Sequence, residues 1–304
     1  LIELGVNKLM NVAIWTDNDL DGAGSALAIK LMYGSSPVNF TIQDVNDSTF
    51  AGMYRSWSDA NYESFDKIYI LDVWVPDEIV SLVDREKVII IDHHKSHVDV
   101  KDRYKVAKAI IEDCSSCCKL IVEKFDRIFS KILTDKQREL FKLVDDYDSY
   151  TLKFPDTLKL NSIYHSYNAP KGTKFIERFA NGLGEYTAFE QNAYKLFCNK
   201  LKDAIENATF FKGTLKGYNV ISCVANSCIN ELAHYSLKKY NADIAIVVNT
   251  TSCKVSFRKK KNSCTIQLNK LAEILCNGGG HEYAAGGEIT DNFLNFTKTL
   301  SPCM

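Results

Sequence analysis

Val88-Ile89-Ile90-Ile91-Asp92-His93-His94 is an apolar, β-branched run that stops on an acid and two imidazoles, and Ile68-Tyr69-Ile70-Leu71-Asp72 repeats the form. Neither run alternates apolar with polar residues. Each therefore reads as a strand buried on both faces, the habit of a parallel sheet covered by helices. Further strand-like runs at 12–16, 38–43 and 105–110 are interleaved with helical stretches, including 23–33 and 76–84, where Pro76 suits a first helical turn. The expected fold class is α/β, beginning with a parallel, doubly wound domain.

Past the sheet the pattern turns helical at 115–129, 135–144, 156–165, 173–180 and 186–207, the last long enough to bridge two domains. Strands return at 219–224, 244–249 and 253–258, with helices near 228–240 and 265–276. The expected organisation is an N-terminal domain at 10–185, a helical linker at 186–207 and a smaller α/β domain at 208–304. No role attaches to residues 1–9.

A chain of 304 residues has room for about two domains. Its 46% hydrophobic and 25% charged residues exclude a disordered or fibrous protein. A net charge of −1 argues against coating a nucleic acid or an anionic membrane by bulk electrostatics. That average hides a division: residues 208–304 carry 11 Lys+Arg and 6 Asp+Glu, against 26 and 32 in residues 1–207. Ten scattered cysteines without a secretory leader are expected to be reduced thiols in a cytoplasmic protein. Cys114, Cys117 and Cys118 form a C-x-x-C with no second pair at zinc spacing. No apolar run approaches the roughly 20 residues that cross a bilayer, so no membrane partner is expected.

The stretch Val12-Ala-Ile-Trp-Thr-Asp17-Asn-Asp19-Leu-Asp21-Gly22 sets three acids where a buried strand meets a helix. Like charges so close raise one another's pKa, and a hard divalent cation keeps them ionised. An EF-hand loop opens similarly but needs Glu at its twelfth position, which here is Ala28. Asp72, Asp92-His93-His94 and Asp145-Asp146-Tyr147-Asp148 supply further acids and imidazoles. Alone, each is an ordinary cap, turn or solvated residue. Three strand ends delivering them to one sheet edge suit a pair of metals sharing a carboxylate. Mixed imidazole and carboxylate donors favour Mn2+, with Mg2+, Co2+ or another divalent ion as substitutes. His97, one turn beyond His93, reads as a bystander.

These residues resemble a family. Asp17-x-Asp19-x-Asp21-Gly22, Asp72, Asp92-His93-His94 and Asp146-x-Asp148 look like the ordered motifs of the DHH phosphoesterase superfamily, with the acid-rich first motif of RecJ-type and nanoRNase-like members. Gly278-Gly279-Gly280-His281-x-x-Ala284-Ala285-Gly286-Gly287 is similar to the signature of the DHH-associated substrate domain, and Val255-Ser-Phe-Arg258 resembles its arginine strand. The resemblance implies two metals held by Asp17, Asp19, Asp21, Asp72, His93 and Asp146, with Asp72 between them and Asp145 an alternative to Asp146. It implies that His94 meets the scissile phosphate and that Asp92 orients the neighbouring imidazole. Arg258, Gly279, Gly280 and His281 are the expected substrate contacts, both domains serving one cleft. Lys259, Lys260 and Lys261 read as a solvated turn. Many small members place a histidine where this chain has Trp15, so Asp17 is expected to substitute for it.

The leading expectation is a manganese-dependent phosphodiesterase that trims short single-stranded RNA or DNA to 5′-mononucleotides. Near-neutral charge favours short substrates over a long polymer. The alternatives are a phosphatase of 3′-phosphorylated AMP, a phosphodiesterase for cyclic or linear dinucleotides, and a non-catalytic nucleic-acid-binding relative. A homodimer is left open.

Overall fold

The computed structural model describes residues 9–260 and 264–303. The chain separates into two compact units, Leu1–Tyr194 and Lys195–Met304.

The first unit runs β1 (Met10–Asp17), α1 (Leu20–Met32), β2 (Val38–Val45), α2 (Asp47–Asn61), β3 (Lys67–Leu71), α3 (Val80–Val83), β4 (Val88–Asp92), α4 (Lys95–Val98) and β5 (Lys108–Ile111). Helices α5 (Cys117–Lys124), α6 (Asp126–Ile132), α7 (Asp135–Asp148), α8 (Thr157–Ser166) and α9 (Lys171–Phe179) follow. The strands pair in the order β2-β1-β3-β4-β5, all parallel. Strand order reverses between β1 and β3, where a doubly wound sheet opens a crevice at its carboxyl edge. Asp17 ends β1 and Asp72 follows β3, so the first acids already flank that crevice.

Both sheet faces are covered. Val12 and Ile14 of β1 join Tyr69, Leu71 and Ile91 in a core under α1, α5 and α7. The alternate residues Ala13 and Trp15 join Ile68, Ile70, Val88 and Ile90 in a second core containing Phe50 and Tyr54 of α2. This period of two, apolar on both sides, explains the unbroken runs. Trp15 is 1% exposed and packs edge-on against Phe50, Tyr54 and Trp57, so it serves the α2 core.

Two local features differ from expectation. The stretch at 76–84 is a short 3-10 turn followed by the single α turn α3, and Pro76 precedes it in extended backbone at ψ 149°. Helix α2 lies outside the expected helical stretches, although Asn46 and Thr49 form a capping box, each side chain accepting the other's backbone N–H.

Helix α10 (Ala188–Asn207) contains the division between the units. The second unit then runs β6 (Phe210–Leu215), β7 (Tyr218–Val224), α11 (Ile229–Lys239), β8 (Ile244–Asn249), β9 (Lys254–Lys259), α12 (Leu268–Cys276), β10 (Gly279–Gly280), β11 (Ala284–Glu288), α13 (Asp291–Thr297) and β12 (Ser301–Pro302). Its sheet has the order β10-β11-β9-β8-β7-β6-β12. Only β7 and β8, joined by α11, pair in parallel, so this is a mixed α/β unit. No helix among the described residues is long and apolar enough to cross a membrane.

Candidate metal centre

The centre is built at the carboxyl edge of β1, β3 and β4. Asp19 caps α1, its Oδ1 accepting the Gly22 N–H at 2.8 Å. A Cβ on Gly22 would stand 2.2 Å from the Asp17 carbonyl oxygen, so only glycine lets β1 turn this tightly into α1. One residue earlier Asp21 points inward, 1% exposed, and accepts the N–H groups of Cys117 and Cys118 at 2.7 and 3.0 Å. Its carboxylate sits on the buried first-turn amides of the α5 N-terminus, which Ser116 caps. The C-x-x-C stretch thus contributes backbone amides here, and no thiol joins a metal-competent cluster among the described residues.

Asp72 leaves β3 at φ +58°, and its N–H donates to the Ile91 carbonyl at 3.0 Å. Left-handed backbone at a non-glycine residue is strained and is characteristic of functional sites. Its Oδ1 is buried and has no hydrogen-bond partner. That orphaned oxygen lies 3.3 Å from His93 Nε2. His93 Nδ1 faces the Cys114 carbonyl at 3.1 Å. A carbonyl only accepts, so Nδ1 carries a hydrogen, and Nε2, aimed at the acids, is the nitrogen that would give up its proton to take a metal. Asp148 Oδ2 and Asp21 Oδ2 complete the ring at 3.5 and 3.8 Å from Nε2.

The electrostatics fit a cation. Burial first, then neighbouring carboxylates, raise Asp72 and Asp148 well above the usual range, and burial raises Asp21 even though His93 opposes it. Burial and Asp19 push Asp17 up to about 8. His93 goes to about 9: burial opposes protonation, but Asp148, Asp21 and Asp92 outweigh it. Three carboxylates and an imidazole lone pair are a donor set for a divalent ion of manganese type.

Of the six expected ligands, Asp21, Asp72 and His93 meet in two groups that share His93, Asp72 with Asp92, His93 and His94, and Asp21 with His93 and Asp148, while Asp17 ends β1 and Asp19 follows it. Asp146 does not join them. Its carboxylate accepts the Thr151 and Thr157 hydroxyls, both at 2.5 Å, and the N–H groups of Lys153 and Phe154 at 3.0 and 3.2 Å. Those bonds outweigh burial and hold it below the ordinary carboxylate range. Asp145 is likewise engaged, by the hydroxyls of Ser115 and Ser116. Asp148 takes the position expected of Asp146, because α7 runs on to that residue and carries the buried row Leu140, Val144 forward by one more turn. Asp92, fully buried, accepts the His93 and His94 N–H groups and His94 Nδ1 on one oxygen, at 2.7, 3.3 and 2.7 Å.

In the second unit Arg258 of β9 donates to Asn230 Oδ1 of α11 at 2.5 Å and to the Ala285 carbonyl at 3.4 Å. Burial and the Arg258 charge lower His234 to about 4. Gly279 and Gly280 form the exposed edge strand β10 after the C-terminus of α12. A Cβ on Gly278 would meet the Gly286 carbonyl oxygen at 2.0 Å, and one on Gly287 the Cys276 carbonyl oxygen at 2.4 Å, so this pair serves close backbone packing. The His281 N–H donates to the Ala284 carbonyl at 2.7 Å and closes the hairpin. Lys259 is not part of a solvated turn. It is 3% exposed, and its Nζ donates to the Cys264 and Ile266 carbonyls and to Glu282. Lys261 lies outside the described residues.

The DHH family, N-terminal domain, matches residues 11–144, and the DHHA1 domain matches residues 218–304. The chain belongs to the DHH superfamily. Among solved structures, an exopolyphosphatase-related protein from Bacteroides fragilis aligns over 95% of this DHH chain and 91% of its own, with TM-score 0.57 and 19% identity. RecJ from Thermus thermophilus in complex with Mn2+ aligns over 95% of this chain at TM-score 0.57 and 11% identity. The chain spans about half of that RecJ, 51% of its length. At these identities the likeness is one of fold. No curated protein sequence matches the chain.

Proposed function

We propose that this DHH protein is a divalent-metal-dependent phosphoesterase, acting on short oligonucleotides and releasing 5′-mononucleotides. The observation that carries the reading is His93 Nε2 facing Asp72, Asp148 and Asp21 within 3.8 Å. Uncompensated, two buried acids and a third that is 25% exposed, all around one imidazole, are costly to assemble. With a cation they are a catalytic site.

Asp21, Asp72, His93 and Asp148 would hold the metal, with Asp17 and Asp19 beside them for a second ion. Bound there, manganese supplies acidified water and neutralises phosphoryl oxygens. Manganese is favoured by the mixed donors, and the Thermus RecJ of the same fold was solved with that ion. His94 would meet the phosphate ester, a role supported by its contact with Asp92 and by a side chain that is 36% exposed. Arg258 can grip a second phosphate. The acidic first 207 residues suit metal and the basic remainder suits phosphate.

End-labelled di- to decanucleotides of RNA and DNA, incubated with manganese, test the reading. Mononucleotides should accumulate in manganese and not in chelator. An intact ladder, with dinucleotides and 3′-phosphorylated AMP also unchanged, would leave a non-catalytic nucleic-acid-binding protein as the better account.

A further inference from the structure

Asp92 is gripped from a second side. Its Oδ2 lies 2.5 Å from Nδ1 of His97, which is fully buried. His97 Nε2 lies 2.6 Å from the Tyr104 hydroxyl, and Arg103 Nη2 lies 2.9 Å from that hydroxyl. Arg103 is anchored in turn by Asp77 at 2.8 Å, by the Val75 carbonyl and by the Trp74 ring.

The hydrogens in this chain can be assigned from its far end. A guanidinium has donors only, so the Tyr104 oxygen accepts from Arg103 and its own hydrogen goes to His97 Nε2. The His97 hydrogen is therefore on Nδ1 and is donated to Asp92. A carboxylate can only accept, so His94 Nδ1 donates to Asp92 Oδ1. This puts the His94 hydrogen on Nδ1 and makes Nε2 its proton-accepting nitrogen. Successive bonds oriented in one sense polarise one another.

We propose that Arg103, Tyr104 and His97 form a buried positioning relay that, through Asp92, locks His94 in its Nδ1–H tautomer for contact with the substrate ester. The proposal rests on the phosphoesterase reading for the role of His94, but not for its tautomer. The three are positioning residues, acting through Asp92.

The test combines imidazole 15N NMR on the metal-free full chain with steady-state hydrolysis of a dinucleotide in manganese. The wild-type His94 should show a protonated Nδ1. His97→Gln, which withdraws the N–H from Asp92 Oδ2 and lets that carboxylate turn, should populate both His94 tautomers and lower kcat by about 10- to 100-fold, with KM changed less than about twofold. Tyr104→Phe, which leaves that N–H in place, should lower kcat less. His97→Asn places an amide N–H where Nδ1 was and should recover most of kcat. A wild-type His94 with its hydrogen on Nε2 overturns the relay. So does an unchanged kcat in His97→Gln, or an equal loss in His97→Asn and His97→Gln. If the wild type cleaves no ester but the His94 tautomer shifts in His97→Gln, the relay is supported and the phosphoesterase reading fails on its own.

Discussion

His93 Nε2 and Asp72 Oδ1 stand 3.3 Å apart at the ends of adjacent parallel strands, with the Asp72 N–H fastened to the Ile91 carbonyl. Asn tolerates left-handed backbone, so Asp72→Asn keeps the turn while removing one buried charge. The metal-free variant should melt at a higher temperature than the metal-free wild type. Manganese should no longer raise its Tm, and hydrolysis should fall by at least about 100-fold, more than outer partners of metal ligands usually cost. Calorimetry with and without manganese, alongside the labelled-ladder assay, measures all three.

The raised groups also set a pH dependence for the chelated protein. A carboxyl raised in the fold contributes stability fully below its unfolded value of about 4, and loses it as pH rises through the folded value. Asp17, pushed up to about 8, and the raised Asp21, Asp72 and Asp148 all follow that sign. His93, raised to about 9, likewise stabilises below about 6.5 and stops doing so as pH passes its folded value. Tm in chelator should therefore fall between about pH 5 and about pH 9, and the increment given by manganese should grow over the same interval. A flat metal-free profile would contradict the cluster.

Asp146 holds four donors from the segment after α7, and the proposed reading gives it a role in stability rather than in metal binding. Asp146→Asn should cost about 2–3 kcal/mol, the scale of hydrogen bonds to a buried charge. Urea denaturation gives that number. Activity per folded molecule should stay within about twofold of wild type.

What is readable follows the physics of each element. Apolar runs at 68–71 and 88–91 name a two-sided sheet because burial acts residue by residue along a strand. Asp72, which directly follows β3, is readable because a strand end fixes where the next side chain goes, and Asp21 because it stands in the first turn of α1, beside the Gly22 that makes the tight turn. The sequence points to Asp146 where the structure places Asp148, because that choice depends on how far α7 runs, and helix ends are weakly encoded. His97 and Lys259 escape for another reason. Their partners, Tyr104 with Arg103 and Glu282 with the 264–266 carbonyls, are assembled only by tertiary packing.

Gly22 offers a test of the loop itself. Gly22→Ala drives a methyl into the Asp17 carbonyl oxygen and the Thr16 hydroxyl. Backbone yields poorly, so the cost should reach about 3 kcal/mol, the upper part of the overpacking range. The manganese-dependent rise in Tm should disappear with it. A variant as stable as wild type and still responsive to manganese would show that the turn relaxes freely.

Manganese titration calorimetry on wild type, Asp148→Asn and Asp146→Asn tests the central claim most directly. The ring around His93 Nε2 predicts saturable binding by the wild type and Asp146→Asn, with binding weakened at least about 100-fold in Asp148→Asn. Equal manganese affinity in Asp148→Asn and wild type, or its loss in Asp146→Asn alone, would contradict the account.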